Sequence, residues 1–254
     1  MIKFENTEVV GWEHAIRGMR NPMNSWEKSD SDYRPILCKK CDNCASYQLE
    51  QWEDCEKCEV EMETSSHNGF MIGPNDLDLM TRLRNAGTDH RKFMRMITVY
   101  LDITAPLYWW KEFDTYKVGT VANSCSTMHK IHAKEFEESD FSVEHLFDAE
   151  SEGIEFPIIY GKEHSPIWSL HVTIRMLNFY REKYLKTKDK KYWWQMIQLL
   201  PSSYNQKRTV MLNYEVLANI YKSRRHHRLD EWHTLCDWIS ELPYPELITG
   251  EEYE

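Results

Sequence analysis

The chain has 254 residues, 41% of them hydrophobic and 13% aromatic, a composition that fits one large or two small globular domains with a real core. A formal net charge of −10 and a pI near 5.6 argue against a general nucleic-acid or anionic-membrane binder, and leave room for a local basic pocket. No run of about 18 apolar residues marks a membrane span, and MIKFENTEVVGWEH lacks a signal peptide's apolar core, so the expected location is the cytoplasm.

KFENTEVVG reads as a short strand, and WEHAIRGMRN as an amphipathic helix stopped by Asn21-Pro22. Residues 24–69 are polar and cysteine-bearing, and read as an inserted module. GPNDLDLMTRLRNAG predicts a helix with Asn75 or Asp76 as N-cap and Gly87 as stop. In ITVYLDI, Ile97, Val99, Leu101 and Ile103 alternate with polar residues, which predicts a strand with one buried face. Pro106 ends that strand and suits the first turn of a following helix. GTVANSCS reads as a small polar loop, and residues 131–165 as irregular. Helices are predicted from Pro166 to about Leu185, from Lys190 to Leu200, and from Gln206 to Arg225 after a break at Pro201. Leu229, Trp232, Cys236 and Ile239 mark a last amphipathic helix ending near Pro243. The fold class is α/β, with long helices in the C-terminal half.

Five of the seven cysteines lie between Cys38 and Cys58. Cys38 and Cys41 form one knuckle, Cys55 and Cys58 another, and two such pairs suit four thiolates around one zinc. Four sulfurs leave no open position, so such a zinc is structural. The same spacing admits free thiols, a redox pair or an iron–sulfur cluster. Cys44 is a fifth thiol within the module.

APLYWWKEFDTYK combines rings and charges after the central strand. Aromatics at helical spacing are ordinarily core, and the charges between them a solvated face. The functional reading presents Lys111, Glu112 and Lys117 to an anionic, ring-containing ligand.

Several stretches, in the same order, resemble the flavin-dependent thymidylate synthases of the ThyX type: AIRGMRNPMNS, RLRNAGTDHRKFMRMITVYLDI, APLYWWKEFDTYKVGT and LPSSYNQKRTVMLNYEVLANIYKSR. They span roughly 60% of the chain and leave out the cysteine module. The resemblance implies one ThyX-like α/β domain over residues 1–254, a central sheet with long helices, interrupted by a cysteine-rich insertion at 24–69. It implies transfer of a one-carbon unit to a dUMP-like pyrimidine nucleotide, with reduced FAD as hydride source and possibly a folate as carbon source. It also implies a homotetramer with sites built between subunits. Under it, His90, Asn213 and Asn219 lie near the flavin. Lys111, Glu112, Lys117, Thr120, Ser126 and Glu215 face the nucleotide, and Trp109 and Trp110 wall the cleft.

The departures are specific. Where the family has Arg-His-Arg, this chain has Thr115-Tyr116-Lys117. A family arginine that faces the nucleotide is Glu215 here, which reverses the charge. Nearby cations that can rebuild an anion site are Lys111, Lys117, Lys130, Lys207 and Arg208. The alternative function is therefore a divergent ThyX-like protein that binds a nucleotide or a protein partner without methyl transfer. His226, His227 and His233 read as a charged helix junction, because adjacent histidines point to different faces. Cys125 has no histidine identifiable beside it, so it ranks low as a nucleophile.

Overall fold

The computed structural model describes residues 2–33 and 70–250. In chain order the elements are β1 (Lys3–Val10), α1 (Trp12–Arg20), β2 (Asp32–Tyr33), β3 (Phe70–Met71) and α2 (Pro74–Asn85). There follow β4 (Thr98–Pro106), α3 (Leu107–Phe113), β5 (Val121–Ser124), β6 (Ile158–Ile159), β7 (Lys162–Glu163) and α4 (Pro166–Thr187). The chain closes with α5 (Lys190–Leu199), β8 (Asn205–Asn213), α6 (Tyr214–Arg224), α7 (Asp230–Ser240) and α8 (Glu246–Thr249). The main sheet has four strands in the order β1-β4-β8-β5, and two small two-stranded sheets pair β2 with β3 and β6 with β7. The fold is α/β, as the sequence predicts.

Two compact units divide the chain. One gathers residues 2–6, 101–211 and 228–234; the other gathers 7–33, 70–100, 212–227 and 235–250. In the first, α4 and α5 form an antiparallel hairpin over a core of Ile131, Phe136, Phe141, Leu170, Leu177 and Met196. In the second, α1 buries Trp12, Ala15, Ile16 and Met19, a spacing that puts all four on one helical face. Trp12 meets the rings of Tyr214 and Tyr244 edge-on, each at 5.3 Å between centroids.

The predicted buried face of β4 is real: Ile97, Val99, Leu101 and Ile103 are all buried. Pro106 stands at the N-cap of α3, as expected. Three predictions change. First, α2 starts earlier than Asn75 or Asp76: Gly73 is its N-cap and Pro74 its first helical residue. The carboxylate that caps it comes from a distant segment. Asp30 accepts the backbone N–H of Asn75 at 2.9 Å and of Asp76 at 3.1 Å. These are two of the orphan donors that any helix start leaves, and the proline has no N–H to cap. Asp76 is thereby released to accept from Arg20, Ser29 and Ser31.

Second, GTVANSCS is not wholly a loop. Val121–Ser124 is an edge strand paired antiparallel with β8, Val121 opposite Met211 and Ser124 opposite Arg208. Third, the helix predicted from Gln206 begins only at Tyr214. Asn205–Asn213 is strand β8, where Gln206, Val210 and Leu212 are buried and Thr209 is exposed. That alternation has a period of two and belongs to a strand. Asn213 makes the turn: its Oδ1 accepts the N–H of Val216 at 3.0 Å and starts α6.

Residues 24–33, assigned by sequence to the inserted module, are tied to α2 through Ser29, Asp30 and Ser31. The knuckle cysteines Cys38, Cys41, Cys55 and Cys58 lie outside the described residues. Among the described residues, no group of three or more His, Cys, Asp or Glu side chains is placed to hold a metal ion. His233 faces Asp230 at 3.6 Å, in keeping with a charged helix junction. No described helix is long and apolar enough to cross a membrane.

Candidate functional site

Each unit carries one group of the residues singled out by sequence. In the second unit they gather at the start of α6. Glu215 and Asn219 are four residues apart and so share a helical face. Both are engaged by Arg91, from the 3-10 segment Arg91–Arg95. Arg91 Nε donates to Glu215 Oε1 at 3.3 Å, and Nη2 donates to Asn219 Oδ1 at 3.2 Å. Arg95 Nη2 lies 3.9 Å from Glu215 Oε1. Glu215 is buried, and its Oε2 lies 3.2 Å from Arg91 Nε without any aligned donor. The proximity is ionic, and the aligned bond goes to Oε1. Among the described residues, no aligned donor reaches that second oxygen of the buried carboxylate.

Arg84, at the end of α2, completes the cluster. It donates to the carbonyls of Leu247 at 3.3 Å and Ile248 at 3.2 Å, groups that the end of a short helix leaves unpaired. Burial lowers its pKa, and the nearby positive charge of Arg91 lowers it further. Two guanidinium groups, Arg91 and Arg95, thus flank one carboxylate with Arg84 near Arg91, and the cluster keeps a net positive charge in a chain whose total is −10. Fixed guanidinium forks of this kind suit phosphate or carboxylate groups.

His90 is exposed at the head of the same 3-10 segment, one residue before Arg91. The side chain of Asn213 is committed to capping α6. The sequence reading named Glu215 but missed Arg91 and Arg95. The signal was present: two arginines four residues apart in DHRKFMR, just before β4.

The first unit holds the other group. Trp109, Trp110 and Phe113 are buried in α3, and Trp232 lies 4.9 Å from Trp109 between ring centroids. The expectation that Trp109 and Trp110 wall a cleft is corrected: these rings are core. Phe113, four residues after Trp109 and three after Trp110, meets both rings, and Trp232 closes on Trp109. Glu112 is half-buried, and its Oε2 accepts the Trp232 indole N–H at 3.2 Å. Tyr108 hydrogen-bonds Glu231; burial raises the phenol's pKa, and the carboxylate beside it raises it further.

Lys111 and Lys117 are exposed, while Tyr116 packs on Trp232. Thr115 turns its hydroxyl back onto the Glu112 carbonyl at 2.7 Å. Of Thr115, Tyr116 and Lys117, only Lys117 projects a charge. Thr120 Oγ1 is sealed from solvent and meets no hydrogen-bond partner among the described residues. Ser126 is exposed, and its hydroxyl accepts the N–H of His129 at 2.9 Å.

Two of the nearby cations are already occupied. Lys207 Nζ pairs with Glu5 at 3.0 Å and Asp102 at 3.2 Å. Arg208 stacks 4.1 Å over the Trp110 ring and bonds Asp114 at 2.7 Å.

No family model and no curated protein matches the chain. Among solved structures, a flavin-dependent thymidylate synthase ThyX from Helicobacter pylori, complexed with FAD and dUMP, is similar with a TM-score of 0.59. The two are 14% identical, and the similarity covers 98% of each chain. The chain has the ThyX fold. A second structure of ThyX from the same organism, also with FAD and dUMP, gives 0.58 at 13% identity over 98% of both chains. A UMP/dUMP methylase from Streptomyces cacaoi, bound with 5-Br dUMP, gives 0.52 at 14% identity, covering 98% of this chain and 95% of that one.

Proposed function

We propose that the chain is a ThyX-type protein that binds FAD and a dUMP-like pyrimidine nucleotide and transfers a one-carbon unit to that nucleotide. The observation that carries this reading is the guanidinium cluster at the start of α6, in a fold whose solved neighbours hold FAD and dUMP. The residues present fit a phosphorylated cofactor: Arg91 and Arg95 supply charge, and Asn219 and His90 supply polar contacts beside them. Asn213 acts through the helix end it caps. Lys111, Lys117, Thr120 and Ser126 are assigned to the nucleotide, with Glu112 held in place by Trp232. When bound, reduced flavin supplies hydride, and a folate supplies the carbon. Glu215 holds Arg91 in register, so the positive charge of the site comes from the 3-10 segment and not from α6. The assembly is assigned as a homotetramer and the cysteine knuckles as a structural zinc site.

The second reading is a divergent protein that binds the nucleotide without the transfer. The paired state of Lys207 and Arg208, the Thr115 hydroxyl bonded back to the Glu112 carbonyl, and Tyr116 packed on Trp232 favour it.

The test is the visible spectrum of the purified protein before and after addition of FAD, followed by titration with dUMP. A bound, perturbed flavin spectrum is expected. Arg91→Ala weakens FAD or dUMP binding by roughly tenfold, the scale of one charge-assisted contact. Glu215→Gln keeps the shape and removes the opposing charge, so anion affinity rises or stays the same. A chain that takes up neither FAD nor dUMP sinks both readings. Flavin and dUMP binding with no thymidylate formed, given reduced flavin and a one-carbon folate, selects the second.

A further inference from the structure

The tip of the α4–α5 hairpin is basic in an acidic chain. Residues 175–191, from the middle of α4 into the first turn of α5, hold seven Lys and Arg against two Asp and Glu, a net +5 where the whole chain is −10. Both acids are committed. Asp189 caps α5 through the Lys191 N–H and pairs with the Lys191 ammonium at 2.9 Å, and Glu182 lies 3.9 Å from Lys186. Arg181, Lys183, Lys188 and Lys190 have no carboxylate within ion-pair distance among the described residues.

A loop of the same unit adds to this charge. Lys130 opens a tight turn, its carbonyl accepting the Ala133 N–H at 2.9 Å, and the turn carries His132. Arg181 Nε donates to the His132 carbonyl at 3.1 Å, and the His132 ring meets Tyr184 edge-on at 4.9 Å. The Lys188 ammonium lies 5.7 Å from the centre of the same Tyr184 ring. Lys130, Arg181 and Lys188 thus converge on one histidine. Its Nδ1 is sealed from solvent and meets no hydrogen-bond partner among the described residues. Burial lowers the pKa of His132, and the three positive charges lower it further. Cations gathered without a counter-charge repel one another, and an anion relieves that repulsion.

Rings stand among these cations. Tyr180 of α4 stacks on Tyr192 of α5 at 6.3 Å, and Trp193 meets Trp194 edge-on at 4.8 Å. Trp194 and Phe179 are 42% and 52% exposed. Lys190 lies 5.9 and 5.5 Å from the centres of Trp193 and Trp194, and Lys183 lies 5.4 Å from Phe179. One ammonium covers one face of a ring and leaves the other for a planar ligand.

We propose that the tip of the α4–α5 hairpin binds single-stranded nucleic acid, its phosphates held by Lys130, Arg181, Lys188 and Lys190 and its bases stacked on Trp194 and Phe179. A phosphate alone leaves the rings without a partner, and a duplex keeps its bases inside. A single strand presents both groups at once. Net charge excludes binding over the whole surface, and one basic, ring-bearing tip is the local form that remains. The inference stands independently of whether FAD or dUMP binds.

Fluorescence anisotropy of the full chain with labelled oligo(dT) and oligo(U), each about twelve nucleotides long, tests it, with a duplex of the same length as comparison. The single strand is expected to bind at low salt. The logarithm of its affinity should fall against the logarithm of salt with a slope near −0.7 per phosphate held, about −3 for four contacts. Lys188→Gln together with Lys190→Gln weakens binding and makes that slope shallower by about 1.4. Trp194→Ala weakens binding roughly tenfold with the slope unchanged, because stacking releases no counterions. All three residues are exposed, and circular dichroism checks that the variants are folded. The tighter of the two oligonucleotides tells whether DNA or RNA is the partner. The proposal is overturned if neither strand binds, if the duplex binds as tightly, or if the double variant keeps the wild-type slope. Full affinity in Trp194→Ala also overturns it, since the tip is then a polyanion surface only. So does displacement of the strand by dUMP or FAD, since the strand then occupies the nucleotide site.

Discussion

Asp76 is a fully buried carboxylate that is saturated with donors. Arg20 Nε reaches Oδ1 at 2.7 Å, and the hydroxyls of Ser29 and Ser31 reach Oδ2 at 2.7 and 2.6 Å. Burial alone raises its pKa. The hydrogen bonds of Ser31, Ser29 and Arg20, with the charge of Arg20, outweigh that effect and hold it below the ordinary 3.8. A carboxyl depressed in the folded state stabilises the protein above its unfolded value, and that stability is lost as pH falls through the folded one. Arg20→Leu leaves the carboxylate buried without its counter-charge, at a cost of about 3–5 kcal/mol near neutral pH. Urea unfolding measures this directly. The gap between variant and wild type should shrink in acid below the ordinary carboxylate range, because the variant's Asp76 protonates more readily. An undiminished gap in acid would mean that the loss comes from packing. Sequence reasoning saw Asp76 as a helix cap. Its real partner is 56 residues away, and no local pattern encodes that distance. Glu215 is a similar case. Its reversed charge was legible against the family resemblance, while the arginines that answer it required the fold.

At the level of elements, pattern succeeded where one period ruled and failed where two met. β4 alternates cleanly along its buried face and was read correctly. NQKRTVMLNYEVLANIYKSR joins a period-two strand to a helix at Asn213, and its helix-forming residues masked the switch. α3 was legible as a helix, but which face its rings took depended on Trp232, more than a hundred residues later. The turn from β1 into α1 shows how little tolerance such a junction has. Gly11 sits at φ +96°, and a Cβ there would meet the Met96 carbonyl oxygen at 2.1 Å. Backbone on both sides leaves nothing soft to move. Gly11→Ala should therefore cost about 2 kcal/mol or more, combining left-handed strain with a steric clash. Its melting temperature, read against wild type by calorimetry, checks the figure. An unchanged melting temperature would mean that the junction relaxes.

On the scale of the whole molecule, the total charge hides its arrangement. A chain at −10 sets Arg91 and Arg95 against one carboxylate and keeps Arg84 near Arg91. Composition excluded a generally basic surface, and only the fold could show where the local ones lie. The cysteine segment lies outside the described residues, and the residues on either side of it say how it joins the rest. Tyr33 pairs with Phe70, and Asp32 with Met71, in an antiparallel two-strand ladder. Directly opposed residues in such a ladder stand only about 4.5–5.5 Å apart. The segment from 34 to 69 therefore leaves and returns at one place, and a two-residue turn such as Asn-Gly can close the same gap. Ser29, Asp30 and Ser31, which hold α2, lie before the gap and stay in place. A chain with residues 34–69 replaced by Asn-Gly is expected to fold, with a melting temperature within a few degrees of wild type. It should also keep whatever FAD affinity the full chain has. Zinc measured in the two purified proteins completes the test: about one equivalent in the full chain and none in the shortened one places the metal in the cysteine knuckles. If the shortened chain fails to fold, the segment is part of the fold and not an insertion. If both proteins lack zinc, the paired cysteines have another use.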